Sequence, residues 1–158
     1  MNTLWTELSS GFPDPQHLTV ILIRIIASTL LGAAIGFERE HAGKKAGLRT
    51  HMLVTAGTTV FVLGCIGYGM QSDGVSRVVQ GIVTGIGFIG AGTILKREEM
   101  HKVEGVTTSA GIWMAAAIGV ATGLGGLGLA IIATTLTLIV LRITLWFENR
   151  PANEETSV

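Results

Sequence analysis

Long apolar runs alternate along this chain with short charged connections. The runs cover approximately residues 17–37, 52–70, 78–95, 106–123 and 126–147. Each is near the roughly 20 residues that a helix rising about 1.5 Å per residue needs to cross a hydrocarbon layer about 30 Å thick. The pattern predicts an all-α integral membrane protein, a bundle of five transmembrane helices. The fourth run, VTTSAGIWMAAAIGVATG, is the weakest, because hydroxyl residues crowd its first turn; if it failed to cross, the C-terminus would move to the other side of the membrane. The expected organisation is an extracytoplasmic segment over 1–16, a five-helix transmembrane domain over 17–147 and a polar cytoplasmic tail over 148–158. The tail, RPANEETSV from Arg150, is expected to be disordered. The first run reads as retained rather than cleaved: no Lys or Arg precedes Arg24, and the run is too long for a signal-peptide core.

Composition agrees with this picture. Hydrophobic residues make up 48% of the 158 and charged residues 14%, with a mean hydropathy of +0.56, whereas soluble chains carry roughly a quarter charged residues. The formal net charge is zero, so no bulk attraction to nucleic acid is implied and the placement of charge carries the information. EREHAGKKAGLR (38–49) holds Arg39, Lys44, Lys45 and Arg49, and KREEMHKVEG (96–105) holds Lys96, Arg97 and Lys102. Positive residues are retained on the cytoplasmic side, so both connections are expected to be cytoplasmic. The N-terminal residues, the QSDGVSR connection and the turn around Gly123–Gly126 are poor in Lys and Arg and fall outside. Five spans then satisfy every connection, with the N-terminus out and the C-terminus in. Trp5 and Trp146 fit interfacial anchors.

Glycine is the second signal. In GIGFIGAG (85–92), Gly85, Gly87 and Gly90 match the written form of a dinucleotide-binding loop, and Glu104 falls near the distance of its ribose-binding acid. That chemistry needs a strand entering the turn and a helix leaving it. Only AGTIL separates Gly90 from the charged KREE, so no cofactor is expected. In lipid, small residues at i and i+4 let helix backbones approach closely. Gly32 and Gly36, Gly81 and Gly85, and the ladder Gly111, Ala115, Gly119 and Gly123 repeat that spacing. Bundle packing accounts for most of them. Gly85, Gly87, Gly90 and Gly92 are denser than packing requires and cost a helix interior about 1 kcal/mol each relative to Ala, which points to a kinked or thinned helix end with backbone lining a cavity.

Charges supply two candidate clusters. Arg24 lies inside the first span, where a guanidinium costs at least a few kcal/mol unless it snorkels or meets an anion. Asp73, with Arg77 four residues later, is the favoured partner of an outer polar cluster, and Glu7 or Asp14 are further candidates. A snorkelling Arg24 beside a solvated Asp73 is the plainer reading. A cytoplasmic cluster joins Glu38, Arg39 and Glu40 to Arg49 and Thr50, with Glu–Arg pairs across the hairpin. His41, His51 and His101 with nearby glutamates offer a loose cation site, too loose for magnesium to leave a signature; Glu98 and Glu99 read as solvated. Any metal stays unknown. Thr107 and Thr108 cap or satisfy backbone at the start of the fourth span. Cys65, the single cysteine, reads as core and permits no internal disulfide. No Ser/His/Asp or Cys/His set, Walker loop or zinc spacing occurs, so an enzyme is not expected.

The ordered run GFERE, AGLRTH, D-x-x-x-R, GIGFIGAG and GVTTSAGIW resembles the MgtC/SapB family of small bacterial inner-membrane proteins. The likeness covers 22–63, 73–95 and 103–125, with Val106 in place of a leucine common in the family. Arg24, Glu38, Arg39, Glu40, Gly47, Arg49, Thr50, Asp73, Arg77, Gly85, Gly87, Gly90, Gly92, Gly105, Thr107 and Thr108 match family motif positions. The resemblance implies the short, SapB-type form without a C-terminal cytosolic domain, a multi-pass inner-membrane location and a link to growth in low magnesium. It associates longer members with survival in macrophages and restraint of the ATP synthase. Two functions are compatible with these features. One is a non-enzymatic regulator that binds another inner-membrane protein or its own copies, with the glycine ladder of the fourth span as contact face. The other is a small oligomeric carrier or channel for an ion or small solute, using Arg24, Asp73 and the glycine-rich end of the third span.

Overall fold

The computed structural model describes Thr3, residues 13–97 and residues 102–148, with backbone alone at 95–97, 102 and 144–148. Trp5, Glu7, Glu98, Glu99, His101, Arg150, the tail and the side chain of Trp146 lie outside the described residues. Five helices follow one another: α1 (Pro15–His41), α2 (Leu48–Gly67), α3 (Ser72–Ala91), α4 (Val106–Gly123) and α5 (Leu127–Glu148). α1 to α4 are each long and apolar enough to cross a membrane, and α5 is apolar over Leu127–Ile143. The chain is an all-α membrane protein. One small addition was not expected. The charged connection after α3 folds into an antiparallel ribbon, β1 (Leu95–Arg97) on β2 (Lys102–Glu104), with Leu95 opposite Glu104.

The helix ends follow from local chemistry. Asp14 caps α1 by accepting from the Gln16 and His17 amides at 3.0 Å, and Pro15 opens the helix where no amide partner is needed. The same His17 contacts hold the Asp14 carboxyl below its usual range. Three C-termini share one device, a bond from an amide to the carbonyl five residues back, wrapped around a glycine with positive φ. Lys44 N reaches Arg39 O around Gly43, Met70 N reaches Cys65 O around Gly69, and Gly126 N reaches Ala121 O around Gly125.

α4 is the centre of the bundle and packs on all four other helices. Half of its membrane window is buried inside the protein, against 11–33% for α1 to α3. A helix enclosed by protein on several sides needs small residues more than long apolar ones, which explains why its sequence looked the least membrane-like. Its glycine ladder faces α2. Gly111, Ala115, Gly119 and Gly123 are all buried. A Cβ at Gly119 would overlap Thr58 Oγ1 and the Thr55 carbonyl, and one at Gly123 would come to 2.7 Å from Val62 Cβ. The expectation that this ladder meets a partner protein is therefore corrected: the chain fills it with its own second helix. Thr59 Oγ1 crosses the contact to donate to the Gly119 carbonyl at 2.9 Å.

α1 meets α2 by the same means. At Gly36 a Cβ would lie 2.6 Å from Leu48 Cα, and at Gly32 it would lie 2.7 Å from the His51 carbonyl. Two apolar clusters complete the interior: Ile35, Ile118, Ala130 and Leu141 between α1, α4 and α5, and Ala46, Ile86, Ile112 and Ala116 where α3 joins. Thr122 and Thr134 satisfy their buried hydroxyls within their own helices, on Ile118 O and Ala130 O at 2.8 Å, as a bilayer demands of polar groups.

α3 is the least enclosed span. Only Ile86 and Gly90 of it are buried. Gly85, Gly87 and Gly90 are helical, and the expected break inside GIGFIGAG does not occur; the helix runs to Ala91 with Gly92 as its cap. Gly90 packs on Ser109, whereas a Cβ on Gly81, Gly85 or Gly87 would meet no atom within 4 Å.

Gly119→Leu is expected to lower the thermal stability of the detergent-solubilised chain by about 3 kcal/mol, the upper end of the cost of overfilling a packed core. Gly87→Leu, on open surface, should leave it unchanged or slightly raised. A fluorescence-detected gel-filtration melt measures both; equal effects would show that the α2–α4 contact is not tight.

Candidate functional site

The end of the bundle that carries the connections 42–47 and 92–105 holds the principal polar site. Three consecutive residues of α1 do two different things there. Glu38 and Arg39 are buried, 9% and 1% exposed, and form a two-pronged ion pair with each other, Arg39 Nη2 donating to Glu38 Oε1 at 2.6 Å and Nε to Oε2. Glu40 is exposed and turns to α2, where its Oε2 accepts from the Leu48 amide at 2.9 Å. That caps a helix whose N-cap residue, Gly47, has no side chain to do so. Gly47 leaves space for the approach, since a Cβ there would lie 2.7 Å from Glu40 Oε2 and press on that carboxylate.

The expected pairing across the hairpin is thus corrected. Among the described residues, Arg49 is exposed and makes no ion pair, and Thr50 is half-buried with no side-chain bond. The carboxylates find nearer donors: an adjacent guanidinium and a backbone amide. Sequence reasoning gave His51 no more than a place in a loose cation site. It is fully buried, and its Nδ1 lies 2.9 Å from the Gly47 carbonyl, while Nε2 has no partner among the described residues. Nε2 points at α4, 3.4 Å from where a Cβ on Gly111 would stand. Glu38 and Arg39 are within electrostatic reach of the ring. A buried charge pair beside an orphan imidazole nitrogen is the only such concentration of polarity inside the described helices. Among the described residues no three His, Cys, Asp or Glu side chains gather in a metal-binding group.

At the opposite end Arg24 has a different partner from the one expected. Its Nη1 donates to the Gly123 carbonyl at 2.9 Å, and no ion pair joins it to Asp73 or Arg77, both of which are exposed. The bond completes the end of α4. Of the last four carbonyls, Val120, Ala121 and Thr122 accept from Leu124, Gly126 and Gly125 amides, and Gly123 accepts from Arg24. A cation at a helix C-terminus also meets the negative end of the helix dipole. Gly125 makes room for it, since a Cβ there would lie 2.7 Å from Arg24 Nη2. A backbone acceptor leaves no mark in sequence, though the left-handed Gly125 was a usable hint.

Thr107 and Thr108 stand at the first turn of α4, Thr107 exposed and Thr108 buried. With Gly105 they border a cavity of about 370 Å³ between the 42–47 connection and the start of α4. Gly105, with φ of 96°, is held against the Thr93 carbonyl, which any Cβ would strike.

The fold and its buried ion pair define a multi-pass membrane protein with ionisable groups inside the bundle. The chain belongs to the MgtC family, whose profile matches residues 25–150. It is 42% identical over 129 residues to YhiD of Escherichia coli (strain K12), provisionally named a magnesium transporter, covering 77% of this chain and 59% of that one. SrpB of Synechococcus elongatus is 40% identical over 133 residues, covering 75% and 71%. MgtC of Salmonella typhimurium (strain LT2) is 44% identical over 117 residues, covering 74% and 49%. The match thus spans about half to seven-tenths of the length of these relatives. No solved structure matches the chain.

Removing one partner of a buried ion pair strands the other, a loss of about 3–5 kcal/mol. Glu38→Ala and Arg39→Ala should each destabilise by that order, and the double replacement Glu38→Leu with Arg39→Met should recover most of it. Thermal melts of the three variants check this; additive losses would show that the two side chains act independently.

Proposed function

We propose that the chain is a non-enzymatic protein of the bacterial inner membrane, concerned with magnesium homeostasis, that acts by binding a transmembrane helix of another polypeptide. The observation that supports this is the state of α3. In a bilayer, close backbone approach replaces hydrophobic exclusion as the source of helix affinity. The Gly32/Gly36 and Gly119/Gly123 pairs are each occupied by α2 of the same chain. Gly81 and Gly85 have the same spacing and remain open, at the floor of an apolar groove of about 480 Å³ walled by Phe61, Ile82 and Ile86. The contact face thus lies on α3, where the chain has left a pair of small residues unused. The magnesium link rests on family membership and on the name of the Escherichia coli relative. The basic connections favour the cytoplasmic side for the Glu38 end.

A photo-crosslinker at Val78, on the groove wall, should give an adduct in native membranes, and Gly85→Leu should abolish it without lowering thermal stability. The adduct mass tells a second copy from another membrane protein. An adduct unaffected by Gly85→Leu would sink the proposal.

A second reading, an oligomeric carrier for an ion such as magnesium, draws support from Glu38, Arg39 and His51, since ionisable groups within membrane spans commonly line ion paths. Purified protein in liposomes should then pass Mg²⁺ down a gradient, and Glu38→Gln should reduce the rate about tenfold or more, the scale of losing one charge-assisted contact. Absence of flux under every gradient excludes the carrier and leaves the regulator.

A further inference from the structure

The polar cavity at the start of α4 belongs to neither reading, and its lining has the chemistry of an oxyanion cradle. α4 is 18 residues long, and its N-cap is Gly105, which supplies no side-chain acceptor. The first intrahelical acceptor bond is Ser109 N to Gly105 O, so the amides of Val106, Thr107 and Thr108 enter no such bond and form the positive end of the helix dipole. Helix N-termini of this kind hold phosphoryl groups through backbone N–H.

An open helix end is not by itself a site. The second observation is Thr108. It is 4% exposed and lines the cavity, yet its hydroxyl has no hydrogen-bond partner among the described residues. Every other buried threonine of the described helices binds a carbonyl: Thr55, Thr58, Thr59, Thr122, Thr134 and Thr137 all donate to backbone. Thr108 alone among them does not, and its position on the cavity wall places the spare hydroxyl beside the open amides. Thr107, exposed one residue earlier, adds a second hydroxyl to the lining. Lys44 and Lys45 lie on the facing connection, and Glu104 is the one acid among the described lining residues. Lys44 and Glu104 each already take part in an interaction of their own. Lys45, exposed and in no ion pair among the described residues, is the cation available to an anion here.

We infer that this cavity binds a phosphoryl group, held by the Val106–Thr108 amides, the Thr107 and Thr108 hydroxyls and Lys45. Tetrahedral oxyanions suit a set of converging amides, hydroxyls and an ammonium better than a planar carboxylate does, because acceptor lone pairs are offered on several sides at once. The cavity is wider than one phosphate, which leaves space for whatever the phosphoryl group is attached to. That group is either a soluble phosphate or the headgroup of an anionic lipid, and the two are separated by the test.

Full-length protein in detergent is titrated with inorganic phosphate, with sodium chloride of matched ionic strength as the control, and thermal stability is followed; a ligand that binds only the folded state raises it saturably. A parallel sample in nanodiscs of phosphatidylcholine, with or without phosphatidic acid, is released for native mass spectrometry. A saturable shift with phosphate identifies a soluble ligand, and a retained phosphatidic acid adduct identifies a lipid. Either must weaken by about tenfold in Thr108→Val and in Lys45→Ala, the scale of one charge-assisted hydrogen bond. Thr108→Val is isosteric and removes only an unpartnered hydroxyl, so its melt without phosphate should equal the parent's. Lys45 is exposed, and its replacement cannot disturb the core. No saturable shift and no adduct overturns the inference. So does a shift or adduct that either variant keeps in full, which would place the anion elsewhere.

Discussion

The closeness of α2 to α4 is the constraint on which the bundle rests. Where Gly119 and Gly123 face Thr55, Thr58 and Val62 there is no room for a methyl group, so the two backbones touch and Thr59 bonds directly to a carbonyl of the other helix. Lipid offers no hydrophobic penalty for keeping two apolar helices apart, so such contact must come from dispersion and from the fit itself. With α4 fixed in the middle, α1, α3 and α5 each find a face of it. The polar groups then have defined surroundings: His51 beside Gly111 at one end, Arg24 over the last carbonyl of α4 at the other.

The five helices were legible because hydrophobic length is a direct physical requirement of the bilayer. Spacing of small residues was equally legible as a face, but not as a destination. An i, i+4 ladder says that something approaches, and only the fold says whether it is a neighbour in the same chain. That is why the α4 ladder turned inward and the shorter α3 pair was left outside. The polar partners were hidden for a different reason. Reading Arg24 against Asp73, or Glu40 against Arg49, matches side chain to side chain, whereas the structure answers both Arg24 and Glu40 with backbone groups at helix ends. Backbone groups are present at every position and so have no signature in sequence. The short ribbon after α3 escaped because strands of three residues carry no alternation long enough to register.

The two ends of the bundle are built differently. One is closed by glycine turns and a single guanidinium on a helix terminus. The other gathers a buried ion pair, an unpaired imidazole nitrogen and an open helix start within the span of two connections. Most of the buried ionisable chemistry lies at that second end, while the membrane-embedded middle consists of close packing and of the open apolar groove along α3.

Glu38 and Arg39 are neighbours in sequence as well as in space. A charge pair spread over two helices can form only after both are in the membrane, and each half must first enter lipid alone. Here neutralisation is carried by one segment and needs no tertiary contact. The Glu38–Arg39 pair can therefore leave the insertion machinery already matched, before α2 has been synthesised, whereas Arg24 of the same span has to wait for the Gly123 carbonyl of α4.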